Sequence, residues 1–267
     1  MSTAVFLVAQ SIPERLGELN LLVRHAESIE AENEPLYNSV CRACCVLIAS
    51  HLEGFLKELT KAIAQDLHYN YKDFSKMPAA MKRAFCEKIV FFDGVPAKEI
   101  EARIKQLLSF FEKNSVAIDL AAFKYKESDN KNPSAAYIDS VFEKIGYSSI
   151  IKTISGGRFD FVFKNDERVN YVLLRDLAGF RSKLYLFPYS GLSGDYSFSS
   201  TVGASKSEKD TLWHAYVEDI LNRRHKIAHG DTVDNITTHN ELSADIIKLG
   251  VLMHAVTYSA ANHFVSK

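Results

Sequence analysis

Positions 219 to 231 read Asp-Ile-Leu-Asn-Arg-Arg-His-Lys-Ile-Ala-His-Gly-Asp. Seven consecutive positions, Arg223 to His229, hold two arginines, a lysine and two histidines. No other stretch of the 267-residue chain gathers so many groups able to bind phosphate or move a proton. An arginine and a histidine are enough to break an RNA phosphodiester, because RNA carries its own nucleophile, the 2′-hydroxyl. A neutral imidazole takes the hydroxyl proton, and an imidazolium gives one to the leaving 5′-oxygen. A guanidinium offers paired hydrogen bonds to the extra negative charge of the crowded transition state. That reaction needs no metal, leaves a cyclic phosphate and a 5′-hydroxyl, and cannot act on DNA.

The groups must be positioned by a helix. From Trp213 to Gly230 there is no helix breaker, and Leu212, Tyr216, Ile220 and Ile227 fall at roughly helical spacing. Gly230 is a natural stop. The same composition also has a purely structural reading. Cations in a last turn oppose the negative end of the helix dipole, worth roughly 0.3–1 kcal/mol each at an exposed site.

Spacing sets a geometric condition. Five positions along an ideal helix turn through roughly 500°, so Arg224 and His229 point about 140° apart. They converge only if the helix loosens before Gly230 or if two chains contribute. His225 and His229 are about 40° apart, near one face. Their spacing is also that of a helical zinc pair, but the glutamate of such motifs is missing and Arg224 and Lys226 would repel a divalent ion. No metal and no cofactor is expected. His254 and His263 read as packed or surface residues, and His214 as a helix-surface or interface residue.

Arg224, the polar His225, three further positions, then His229 and Gly230 resemble the Arg-x4-His motif of the HEPN superfamily. Glu53-Gly54-Phe55, on a long apolar helix, resembles the second helix of several prokaryotic HEPN families, and the RiboL-PSP-HEPN-like type is the nearest in appearance. The resemblance covers roughly 11–70 and 207–265. It implies an all-α, up-and-down four-helix bundle with the motif at the end of the third core helix. It also implies that two protomers dock with their motifs facing, which would make the protein a homodimer or pair it with another HEPN chain. The implied activity is a metal-independent endoribonuclease in a defence or toxin setting, with an antitoxin or another defence-system subunit as a further partner. On this reading His229 is the general acid/base, Arg224 stabilises phosphate charge, and His225 holds substrate or water. Arg223 and Lys226 are phosphate contacts, unless they belong to a solvated helix face. Glu53 is either an ion-paired helix residue or a supporting carboxylate that orients Arg224 or a histidine. Two rivals stand beside this reading: a non-catalytic HEPN module that binds RNA or nucleotide, and a helical interaction subunit whose basic helix end docks an acidic partner.

The rest of the chain supplies the other helices. Ser11-Ile12-Pro13-Glu14 predicts a helix start with a capping box, and the helix is expected to end near Asn33 to Pro35. A second, long helix is predicted from about Asn38 to about Tyr69, with Cys44, Leu47, Ile48, Leu52, Phe55, Leu59 and Ile63 as its stripe. Shorter helices open at Pro78, Pro96 and Pro133, the last closed by Gly146, with a loop over 127–133. Another helix runs from Asp166 to about Phe180. The span 154–159 is expected to be a turn beside a short extended segment, 184–187 is ambiguous, and 189–207 is a loop or lid. The motif helix is expected to start at 207–210. Thr238-His239-Asn240-Glu241 predicts a capping box for a last helix to about His263, with Leu242, Ile246, Leu249, Met253 and Val256 inward. The resemblance makes the whole one HEPN-like domain, 1–267, in which 73–205 is an insertion and a candidate for setting substrate choice.

Composition agrees with a globular chain: 47% hydrophobic, 24% charged, net charge −1. A broadly basic polyanion binder is excluded, so any RNA contact is confined to a local site and is salt-sensitive. Cys41, Cys44, Cys45 and Cys86 read as reduced core residues, which suits the cytoplasm. No run of about 18 apolar residues marks a membrane span, and Met1 to Gln10 is too weak for a signal peptide.

Overall fold

The computed structural model describes residues 2–71, 73–77, 79–90, 96–114, 135–143, 147, 149–196, 198, 211–230 and 237–265. Among these the architecture is all-α. The elements are α1 (Ala4–Gln10), α2 (Ile12–Ile29), α3 (Glu34–Tyr71), α4 (Ala79–Val90), α5 (Ala97–Lys113), α6 (Ala135–Glu143), α7 (Ile150–Ile154), α8 (Glu167–Gly179), α9 (Leu212–His229) and α10 (His239–Val265), with short 3-10 helices between some of them.

α3 is the axis, with α1, α2, α9 and α10 all packed against it. Cross-helix pairs fix the directions. Arg15 pairs with Glu58, and His51 lies 3.1 Å from Glu18, so α2 runs antiparallel to α3. Leu16 meets Gly250, and Glu30 lies 3.7 Å from His239, so α10 runs antiparallel to α2. Arg223 reaches Asp245 while Lys248 lies over the Tyr216 ring, so α9 runs antiparallel to α10. The result is the expected up-and-down bundle. The close α2–α10 crossing depends on Gly250, where a Cβ would stand 2.8 Å from Leu16 Cδ1.

By length and mean hydropathy (1.4 over its most apolar window) α3 could cross a bilayer. Here its buried side chains, among them Cys41, Ile48, Leu52, Phe55, Leu59 and Ile63, belong to the same hydrophobic cluster as those of α2, α9 and α10. All four cysteines are buried, and none is in a disulfide. Burial pushes the Cys44 thiol up to about 12 and Cys86 up to about 11, as expected of unreactive core residues.

Three expectations about the start of the chain change. Ala4–Ala9, read as a weak apolar run, lies in helix α1. Its amino end is held from a distance: the Asp66 carboxylate accepts from Ala4 N at 2.7 Å and Val5 N at 3.0 Å. Ser11 therefore lies at a junction in the αR region, its hydroxyl donates to the Val8 carbonyl, and the predicted capping box with Glu14 does not form. α3 starts four residues earlier than expected, because Pro35 fits a first turn and Asn33 Oδ1 accepts from Leu36 N.

The later elements follow the sequence more closely. Thr238 N donates to Glu241 Oε2 at 2.7 Å and Glu241 N donates to Thr238 Oγ1 at 3.3 Å, which is the predicted capping box of α10. Thr238→Ala should lower stability by about 1 kcal/mol, read as the urea midpoint. Leu242, Ile246, Leu249, Met253 and Val256 are all buried. The turn at 155–157 is present, but a 3-10 helix, Arg158–Lys164, follows it instead of an extended segment. The described part of the 189–207 stretch is not a lid: Tyr189, Leu192 and Tyr196 are buried, and the Tyr189 hydroxyl donates to Asp66 at 2.8 Å. The expectations for 127–133, Gly146 and 207–210 lie outside the described residues.

The middle of the chain divides in two. α4 and α5 pack together around Phe74, Phe85 and Phe111. α7, α8 and the 158–164 helix pack on α10. His254 is buried at that face, with its ring parallel to Tyr258 and its Nδ1 without a partner among the described residues. Burial, reinforced by Arg181, pushes its pKa down from 6.5 to about 3. Between those values the unfolded chain binds a proton that the folded chain refuses. Stability should therefore fall by about 1.4 kcal/mol per pH unit as pH drops below 6.5 toward 3, less any offset from other groups. A His254→Phe variant should show a shallower acid loss in urea titrations at several pH values.

Candidate functional site

α9 owes its place to its amino-terminal half. Thr211 caps it by accepting from His214 N at 3.1 Å. Trp213 is fully buried, and its Nε1 donates to Asp160 at 2.8 Å. Tyr216 is buried and donates to the Asp245 carbonyl at 2.6 Å. Trp213, Tyr216, Val217, Ile220 and Leu221 form the buried face. His214 is half-buried beside them, and His263 stacks on Tyr147, so neither reaches the motif.

The helix then continues unbroken through His229. Gly230 closes it in the left-handed region at φ 72°, its N–H donating to the carbonyls of Ile227 and Lys226. A loosened last turn, one of the two ways Arg224 and His229 could converge, is thus ruled out. Measured from Ile220, Arg224 falls about 40° round the helix, still on the inward side, while His225 and His229 fall at about 140° and 180°. Arg224 and His225 are half-buried and His229 is exposed. The two imidazoles do come together, with ring centroids 4.2 Å apart and planes tilted by 54°. Lys226 is exposed, about 60° round the helix from His229. All of this lies at the end of the bundle where α2 finishes and α3 and α10 begin.

Two expected site residues are placed elsewhere in the design. The Arg223 guanidinium lies 2.5 Å from Asp245 and 2.8 Å from Asp219. Burial works against its charge, but Asp245 and then Asp219 outweigh that and raise its pKa. With its side chain only 17% exposed and two carboxylates on it, Arg223 is a strut between α9 and α10, not a phosphate contact. Glu53 lies at a different level of the bundle from Arg224. Cys45 and Ile48 of α3 lie level with Arg223 and Ile220. Glu53 is five residues beyond Ile48, about 7.5 Å further along α3 and away from the motif end. One of its oxygens is buried without a hydrogen-bond partner among the described residues.

Asp245 is the residue that sequence reasoning missed. It sits on the buried face of α10 beside Leu242, Ile246 and Leu249, and it also meets Lys248 at 3.5 Å. A carboxylate on an apolar stripe is the signal that could have found it. Among the described residues no group of three or more histidines, cysteines or carboxylates is placed to hold a metal ion.

A RiboL-PSP-HEPN family model matches residues 11–262. The chain belongs to that family. Its members are HEPN domains, so the functional class is nuclease or RNA-binding, and the helical bundle with a basic motif at the end of α9 accords with it. The match spans 73–205 together with the bundle helices. No curated protein and no solved structure matches the chain.

Proposed function

We propose that this HEPN protein is a metal-independent endoribonuclease, with one composite site built from Arg224 and His229 of two copies. The observation that carries the proposal is the unbroken α9: within one chain Arg224 and His229 diverge by about 140°, yet both stand at the helix end, neither fully buried. A two-fold axis beside that end sets the Arg224 of one copy against the His229 of the other. It also supplies two imidazoles to one phosphate.

The chemistry then balances without further groups. One His229 takes the 2′-hydroxyl proton as the oxygen attacks phosphorus. The bond from phosphorus to the 5′-oxygen breaks, and the second imidazole, protonated, delivers a proton to that oxygen. Arg224 binds the equatorial oxygens as charge builds there. His225, against His229, keeps that ring oriented or holds a water. Lys226 is left to attract the RNA backbone, while Arg223 sets the helix. In a cell the same activity would arrest growth, which fits a toxin or defence role.

The test is cleavage of total RNA in excess chelator by wild type and His229→Ala. Cleavage that persists in chelator, leaves cyclic phosphate ends and vanishes in the variant supports the reading. RNA that is bound but left intact by wild type replaces it with a binding module.

A further inference from the structure

A second surface of the molecule carries aromatic rings and cations side by side. On α8, Asn170, Leu173 and Leu177 turn inward. Arg168, Tyr171 and Arg175 fall within about 60° of one another on the outward side. Tyr171 is 69% exposed, unusual for so large a ring. Immediately before α8, Phe161 is also exposed, and the Lys164 ammonium lies 4.5 Å from its ring centre. Phe161 and Lys164 thus meet just ahead of α8, and Tyr171 shares the outward side of α8 with two arginines.

The acidic groups nearby are mostly committed. Asp166 caps α8 by accepting from Arg168 N and Val169 N. Asp176 accepts from the Tyr196 hydroxyl and pairs with Arg175, which it partly neutralises. Glu167 is exposed on the other side of Tyr171. Lys164 and Arg168 have no ion-pair partner among the described residues.

We infer that this strip, from Phe161 to Arg175, is a binding site for single-stranded RNA, separate from the Arg224/His229 centre. Exposed rings offer stacking platforms to unpaired bases, and flanking cations follow the backbone. A duplex, with its bases already stacked, gains nothing from Tyr171. The 158–164 helix that carries Phe161 also packs on α9. Phe163, in the same 3-10 helix as Phe161 and Lys164, packs on Tyr216 of α9 at 6.2 Å. Tyr216 is thirteen residues before His229, about 20 Å along the helix axis. A strand held on α8 must extend about that far to reach the motif end. The inference rests on the RNA reading of that end and adds to it the substrate class, an unpaired strand.

The test is fluorescence anisotropy with a labelled oligouridine of about 16 nucleotides, on the His229→Ala background so that nothing is cut. Tyr171→Ala should weaken binding about tenfold, and Tyr171→Phe should restore it. Lys164→Ala with Arg168→Ala should reduce the slope of log affinity against log salt by about 1.4. Removing two exposed cations from α3, Lys57 and Lys61, should leave the effect of Tyr171 intact. Affinity unchanged by Tyr171→Ala, equal loss for a duplex of the same length, or no RNA bound at all overturns the inference. Cleavage by the wild type is scored separately, so failure here leaves the ribonuclease assay to stand or fall by itself.

Discussion

His229→Ala is expected to lose RNA cleavage by about 10²–10⁴-fold, the usual contribution of a positioned acid or base. The fold should be untouched, because His229 is exposed in the last turn and its neighbour Gly230 makes the cap through its own backbone. Circular dichroism and the urea midpoint should therefore match wild type while cleavage disappears. The imidazole's only ring contact among the described residues is His225, so truncation opens no core cavity. A His229→Ala protein that still cleaves RNA at the wild-type rate removes the proposed acid/base from the mechanism.

Arg223→Ala is expected to do the opposite: a large loss of stability, about 3–5 kcal/mol, from breaking a buried ion pair and leaving Asp245 unpaired. Asp245 has a side-chain exposure of 8%, so little water can replace the guanidinium. Two further groups share the damage. Tyr216 is anchored on the Asp245 carbonyl, and Lys248 would be left with a carboxylate it can satisfy only in part. Urea titration at neutral pH checks this. A variant as stable as wild type, but with weaker RNA binding and a shallower salt dependence, would return Arg223 to the phosphate contacts.

What could be read from the residues in advance was whatever depends on near neighbours. The Thr238–Glu241 cap, the apolar stripe of α10 and the glycine stop of α9 are all encoded within a turn or two, and all appear as expected. α1 was missed although its local cap, Thr3, accepts from Phe6 N, because the Ala4 and Val5 amides are satisfied by Asp66, some sixty residues away. Arg223 was misplaced for the same reason. Within a basic cluster it resembles its neighbours, and only the packing of α9 on α10 shows Asp245 waiting for it. One local hint was present, since Asp219 stands four residues before Arg223, a spacing that pairs on a helix. The level of Glu53 was hidden by register. Sequence places it on the long helix, but which level of α3 faces Arg224 is decided by the antiparallel packing of α9. The divergence of Arg224 and His229, by contrast, follows from spacing alone, and the unbroken α9 keeps it.

The central claim is that one phosphate receives its guanidinium and its imidazole from different copies. Mixing Arg224→Ala protein with His229→Ala protein tests this most directly, after brief exposure to conditions that let subunits exchange. Each variant alone should be inactive. Mixed dimers contain one intact pairing, the guanidinium from the His229→Ala chain with the imidazole from the Arg224→Ala chain. With random exchange into a two-fold dimer about half of the dimers are mixed; lacking the second imidazole they should stay below half the wild-type rate, but cleavage should rise well above that of either variant alone. A mixture that forms mixed dimers and stays inactive, or a wild-type chain that cleaves as a monomer, contradicts the account.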